Sequence, residues 1–163
     1  MAGGRRRHAS RALAVLATAA SAVALAGCAP VTTLDPYSPS DGVRGALGNQ
    51  VTINNLLLLS EAEGEPALLL AGVTNRGADT ARVTLTFADG VNTTVVVPGN
   101  DTVLLDPANA AGETVIVEAD LGAPGSTTAI RVSTPESGAI TINTPILDGK
   151  LEPYGTYLDE YVG

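Results

Sequence analysis

One histidine, one methionine, one cysteine and no tryptophan occur in 163 residues, and aromatic residues make up 3% of the chain. Position sharpens the scarcity: these three residues are Met1, His8 and Cys28, so nothing from Ala29 to Gly163 can supply a thiol, a thioether or an imidazole. A serine, threonine or cysteine nucleophile needs a base that accepts its proton near neutral pH. Beyond Cys28 the conventional amine base is Lys150, in an Asp-Gly-Lys turn, and neither a Gly-x-Ser-x-Gly elbow nor a Ser-x-x-Lys motif is present. Glycoside hydrolysis asks for two facing carboxylates, and no aromatic sugar platform accompanies the acids here. Zinc and copper sites draw on Cys, His or Met. Glu61, Glu63 and Glu65 offer oxygen ligands, but they lack the spacing of a calcium loop and read as a solvated, self-repelling turn. Asp101 and Asp106 flank a short apolar run and read as markers of its ends. The sequence therefore predicts no catalytic residues, no metal ligands and no cofactor.

What is present begins with charge. Arg5, Arg6, Arg7 and Arg11 precede an uncharged Ala/Leu/Val-rich stretch, Ala12 to Ala26. As a helix that stretch reaches about 22 Å, short of the roughly 30 Å hydrocarbon core, so residues 1–27 read as a cleaved export signal rather than a spanning helix. Leu25-Ala26-Gly27-Cys28 closes the stretch and resembles the bacterial lipobox. The resemblance implies cleavage between Gly27 and Cys28 and a diacylglyceryl group on the Cys28 thiol, hence a lipid anchor at the extracytoplasmic face of the cell membrane. An ordinary secretory signal cleaved nearby, with Cys28 left as a free thiol, is the other reading. After removal of residues 1–27, five basic residues (Arg44, Arg76, Arg82, Arg131, Lys150) face all seventeen acidic ones, a formal charge of −12. Scattered basic residues in so acidic a chain exclude nucleic acid as a partner.

Residues 28–48 read as the lipidated cysteine followed by a flexible tether, with "APVTTLDPYSPS" rich in Pro, Thr and Ser and "GVRGALG" as a loop entering the domain. From Asn49 to Gly149, β-branched runs alternate with turn residues at spacings near ten. "TARVTLTF" is the plainest, with Ala81, Val83, Leu85 and Phe87 on one face and Thr80, Arg82, Thr84 and Thr86 on the other. This pattern predicts an antiparallel all-β domain of seven to eight strands: a Greek-key sandwich of immunoglobulin-like or cupredoxin-like type, or failing that a small open barrel. No segment after Cys28 shows a helical apolar stripe. Residues 150–163 form a tail with three of the four tyrosines, Tyr154, Tyr157 and Tyr161. Three readings stand: rings laid against the sandwich with wet hydroxyls, an exposed segment that binds a partner, such as another envelope protein or a cell-wall component, or a frayed end.

"YSPSDGVRG" (Tyr37 to Gly45), then "VTINNLLLLS" and "LLAGVTNRG", together with the lipobox, resemble small actinobacterial envelope lipoproteins of the LpqE-like type. That group is similar in general shape to periplasmic copper-chaperone-like sandwiches, which hold Cu(I) through histidines and methionines. The resemblance carries over no biochemical role; fixed loops on a rigid sandwich suit a non-catalytic binding or scaffolding domain, with a copper-chaperone-like or ion-binding domain as the alternative. Asp41 and Gly42 bring turn chemistry to the motif, and Arg44 is expected to pair with an acid at the domain entrance.

Overall fold

The structure, a computed structural model, describes residues 40–163. The predicted signal segment, Gly27, Cys28 and the tether as far as Pro39 lie outside the described residues. Nine strands follow in order: β1 (Val43–Leu47), β2 (Val51–Leu59), β3 (Ala67–Asn75), β4 (Ala81–Thr86), β5 (Asn92–Val97), β6 (Asp101–Leu105), β7 (Ile116–Val117), β8 (Thr127–Thr134) and β9 (Gly138–Leu147). A helix, α1 (Tyr154–Tyr161), ends the chain.

The strands form a cupredoxin-like Greek-key sandwich that is nearly closed into a barrel. One sheet runs β5-β4-β8-β9. The other is built on β2 and β3, paired antiparallel from Val51↔Asn75 to Leu59↔Leu68. Its edges are shared: β1 covers the first half of β2, while the end of β9 runs parallel to the second half through Leu58↔Ile146 and Leu59↔Leu147. On β3, β6 pairs with Ala71–Asn75 and β7 with Ala67 and Leu68. β9 thus belongs to both sheets and joins them.

Between the sheets lies a core of aliphatic side chains, among them Ile53, Leu58, Leu69, Val83, Leu85, Leu105, Ile130 and Ile146, with Phe87 as its aromatic member. The alternation read in "TARVTLTF" is the one observed: Ala81, Val83, Leu85 and Phe87 are buried and Arg82 is exposed. Each buried Leu or Ile contributes about 1.5–3 kcal/mol by leaving water. A second cluster sits on the outer face of the β2–β3 sheet, where Leu57, Leu59, Leu68 and Leu70 pack against Leu158 and the three tyrosines of α1.

Three expectations change here. β1 occupies Val43–Leu47, inside the stretch read as tether, because Val43 and Leu47 pack into the core and Gly45 admits Ile142 where a side chain would collide. The tail contains a helix, because the outer leucines give eight residues a surface to fold on. Arg44 makes no ion pair among the described residues, where Lys150 pairs with Asp148.

Candidate functional site

Helix α1 does not cover its sheet completely. On the outer face of β3 the side chains run Leu68, Leu70, Gly72, Thr74; the helix covers the leucines and stops short of Gly72. Gly72 pairs with Asn54 of β2 on one side and Leu104 of β6 on the other. A glycine between two longer neighbours leaves a gap in the face. β2 widens it, because its register against β3 shifts between Asn54 and Leu57, with Asn55 in the left-handed region at φ 52°. A bulge of this kind bends the strand and re-aims its side chains, and Asn is among the residues that accept that conformation.

The result is a cavity of about 370 Å³. Leu70, Gly72 and Leu104 floor it, Asn54 and Asn55 form one wall, and Tyr154 and Tyr157 overhang from α1. Asp106, just past the end of β6, stands at the rim. Its volume falls in the range of small-molecule sites, which combine an apolar floor with a few polar groups.

The walls are fixed from behind. Asn55 Oδ1 accepts from the backbone N–H of Gly42 at 2.9 Å and also meets the Ser40 hydroxyl. A side chain at Gly42 would sit 2.5 Å from the Asn55 carbonyl carbon, so the close approach requires glycine. Asp41, beside it, accepts the Tyr154 hydroxyl at 2.6 Å. The segment before β1 is thereby tied both to the bulge and to the helix. Asp106 Oδ1 accepts from the Ala108 N–H at 3.1 Å, which orients its carboxylate. Tyr157 and Tyr161 meet edge to face with centroids 6.3 Å apart, and the Tyr161 hydroxyl reaches the Pro107 carbonyl at 3.5 Å.

Electrostatics follow from burial and acids. Tyr154 is pushed up to about 12, first by burial and then by the hydrogen bond to Asp41. Burial, and then the Asp106 carboxylate, hold Tyr157 above its ordinary value. Both phenols stay neutral at any physiological pH, and neither Lys nor Arg lines the cavity.

Of the residues singled out in the sequence, Tyr154 and Tyr157 line the cavity, while Tyr161 braces Tyr157 from outside it. Asp106 appeared in the sequence only as a strand marker; Asn54, Asn55 and Gly72 lay within the quoted stretches "VTINNLLLLS" and "LLAGVTNRG" without a role of their own, and Leu104 within the short apolar run before Asp106. Glu61, Glu63 and Glu65 lie in the exposed β2–β3 connection, and among the described residues no group of three Asp or Glu side chains is placed to hold a metal ion.

No protein-family model matches the chain, and no curated protein matches it by sequence. Two forms of one domain are among the solved structures similar in shape. The copper-bound PCuAC domain from PmoF2 is 19% identical, with 65% of this chain and 98% of that chain covered and a TM-score of 0.50. The apo PmoF2 PCuAC domain is 18% identical, with 67% and 98% covered and a TM-score of 0.51. The likeness is one of fold.

Proposed function

We propose that the protein is a lipid-anchored envelope lipoprotein whose sandwich is a non-catalytic binding domain, with the notch beside α1 as its binding site. The observation that carries the reading is the cavity of about 370 Å³, apolar at its floor and polar at its rim, framed by Tyr154 and Tyr157. Support for the anchor comes from the arginine-rich start, the short apolar stretch and "LAGC" ahead of Cys28. Two acyl chains hold a protein on a membrane stably, where one holds it only marginally.

The test has two arms. Mass spectrometry of the membrane fraction is expected to find a mature N-terminus at Cys28 carrying added lipid, and Cys28→Ala to abolish both processing and the lipid. A Cys28→Ala protein still processed and membrane-bound overturns the anchor. In the second arm, the ¹⁵N-labelled full chain in detergent is screened against a library of small polar molecules. Saturable amide shifts are expected to cluster at Asn54, Gly72 and Tyr157; shifts scattered elsewhere, or none, overturn the binding site.

The PmoF2 neighbours favour a second reading, a copper-carrying domain. The donor chemistry does not fit it. Cu(I) selects soft thiolate, thioether and imidazole ligands, and residues 40–163 contain no Cys, Met or His. The scaffold is shared, but the described domain has no soft ligand to place on it.

A further inference from the structure

The charge and shape of the notch say more about its occupant. It is lined by two neutral phenol rings, two asparagine side chains and one carboxylate, over an aliphatic floor. A second carboxylate, Asp41, stands behind the Tyr154 hydroxyl. Lys and Arg are absent from the lining. The field of the domain has the same sign, because Ser40 to Gly163 holds sixteen acidic and five basic residues, a formal charge of −11. Such a field repels anions from the cleft and concentrates cations in it. An anionic ligand would meet Asp106 with no compensating charge, and a wholly apolar one would take water from the Asp106 carboxylate without offering it an opposite charge.

A bare metal ion is a poor occupant. Ca²⁺ takes six to eight oxygen ligands in a close shell, and among the described residues no group of three acids is placed to begin one. An alkylammonium group makes different demands. It needs aromatic rings close by, a nearby carboxylate, and an apolar surface for its carbon substituents. Tyr154, Tyr157, Asp106, Leu70 and Leu104 line the notch together.

We propose that the notch binds a small organic cation: an ammonium group set between Tyr154, Tyr157 and Asp106, on a short carrier resting over Gly72 and Leu104. The inference rests on the reading of the notch as a binding site and names its ligand class. Asp106, oriented by the Ala108 N–H, supplies the charge. The raised phenols of Tyr154 and Tyr157 keep both rings uncharged, with the Tyr154 O–H proton already committed to Asp41. Asn54 accepts a hydroxyl or N–H at the far end of the carrier, while Asn55, whose Oδ1 holds the Gly42 N–H, shapes the wall beside it.

The test compares choline with 3,3-dimethylbutan-1-ol, its neutral analogue of nearly the same shape, on the ¹⁵N-labelled full chain in detergent. Choline is expected to shift the amides of Asn54, Gly72 and Tyr157 saturably, and the alcohol to bind at least tenfold more weakly. Asp106→Asn is expected to weaken choline about tenfold and leave the alcohol unchanged. Raising the salt to 0.5 M is expected to weaken choline alone, a readout that needs no variant to fold. Gly72→Val is expected to block both ligands while the spectrum stays dispersed, because a Cβ at Gly72 lies in ordinary contact, 3.5 Å from Leu104 Cδ2. If the alcohol binds as well as choline, or if Asp106→Asn and salt leave choline unaffected, the cation is wrong while the binding site stands. If neither ligand shifts the notch, the cation inference is overturned, and the library screen decides the site on its own.

Discussion

Asn75 shows how a residue with turn chemistry becomes a structural tie. It is 2% exposed at the end of β3, and its Nδ2 faces the carbonyls of Asp79, Val97 and Pro98 at 2.8, 3.2 and 3.1 Å. Its Oδ1 accepts the Gly77 N–H at 2.9 Å. One side chain thus closes the β3–β4 turn and fastens it to the end of β5, with its buried polar atoms satisfied. Tyr154 makes a comparable tie at the surface, and its titration can be followed. Its folded value of about 12 lies above the ordinary 10.0, so the native state holds the phenolic proton more tightly than the unfolded chain. The stabilisation is therefore complete below pH 10 and declines as the pH rises toward 12. Ultraviolet titration of phenolate absorbance is expected to show one tyrosine ionising last, near pH 12, and Tyr154→Phe to remove that step and flatten the loss of stability above pH 10. A native protein whose tyrosines all ionise near pH 10 would contradict the Asp41 contact.

At the scale of elements, α1 exists because of what it covers. Eight residues containing Gly155 and Thr156 are too short and too poor in helix formers to be stable alone. Leu158, 3% exposed, packs on the outer face of β2 and β3 with Leu57, Leu59, Leu68 and Leu70. Leu158→Ala is expected to cost about 2–4 kcal/mol, read as a lower denaturant midpoint. Deleting residues 150–163 is expected to expose the leucine face, raise binding of a hydrophobic dye and promote self-association; an unchanged midpoint and a monomeric truncated chain would refute the packing. The strands themselves were legible, since β4 and β8 alternate cleanly between core and solvent. The helix was not legible in its own residues, but it left a trace elsewhere. Leu56–Leu59 and Ala67–Ala71 are unbroken apolar runs that fail to alternate, which marks strands buried on both faces. Something had to lie over the second face, and the tyrosine-rich tail was the apolar segment left to do so. The notch was legible only in Tyr154 and Tyr157. Its other walls come from a bulge at Asn55, a glycine at position 72 and the end of β6, brought together by a register that no local pattern encodes.

For the molecule as a whole, the decisive contrast is between a scaffold and its ligand set. The sandwich shares its fold with PmoF2 PCuAC domains at TM-scores of 0.50 and 0.51, yet the sequence identities of 19% and 18% carry shape without chemistry. The soft donors of this chain are confined to Met1, His8 and Cys28, all before the first described residue. The full chain can therefore hold Cu(I) strongly only through those positions, and Cys28 as a free thiol would be the strongest of them. This separates copper held by residues before Ser40 from copper held by the domain. In competition against bicinchoninate, the full chain in detergent is expected to take up Cu(I) only while its Cys28 thiol is free. The double variant Cys28→Ser, His8→Ala is expected to take up none, and acylation of Cys28 to have the same effect as the substitution. Carboxylates, hydroxyls and carbonyls remain throughout in the sandwich, but they are hard ligands and do not compete for Cu(I) at neutral pH. One equivalent retained by the double variant, and retained again after residues 1–27 with Met1 are removed, would mean that the sandwich binds copper with oxygen donors or between chains, and would make copper carriage the function of the domain despite its missing histidines and methionines.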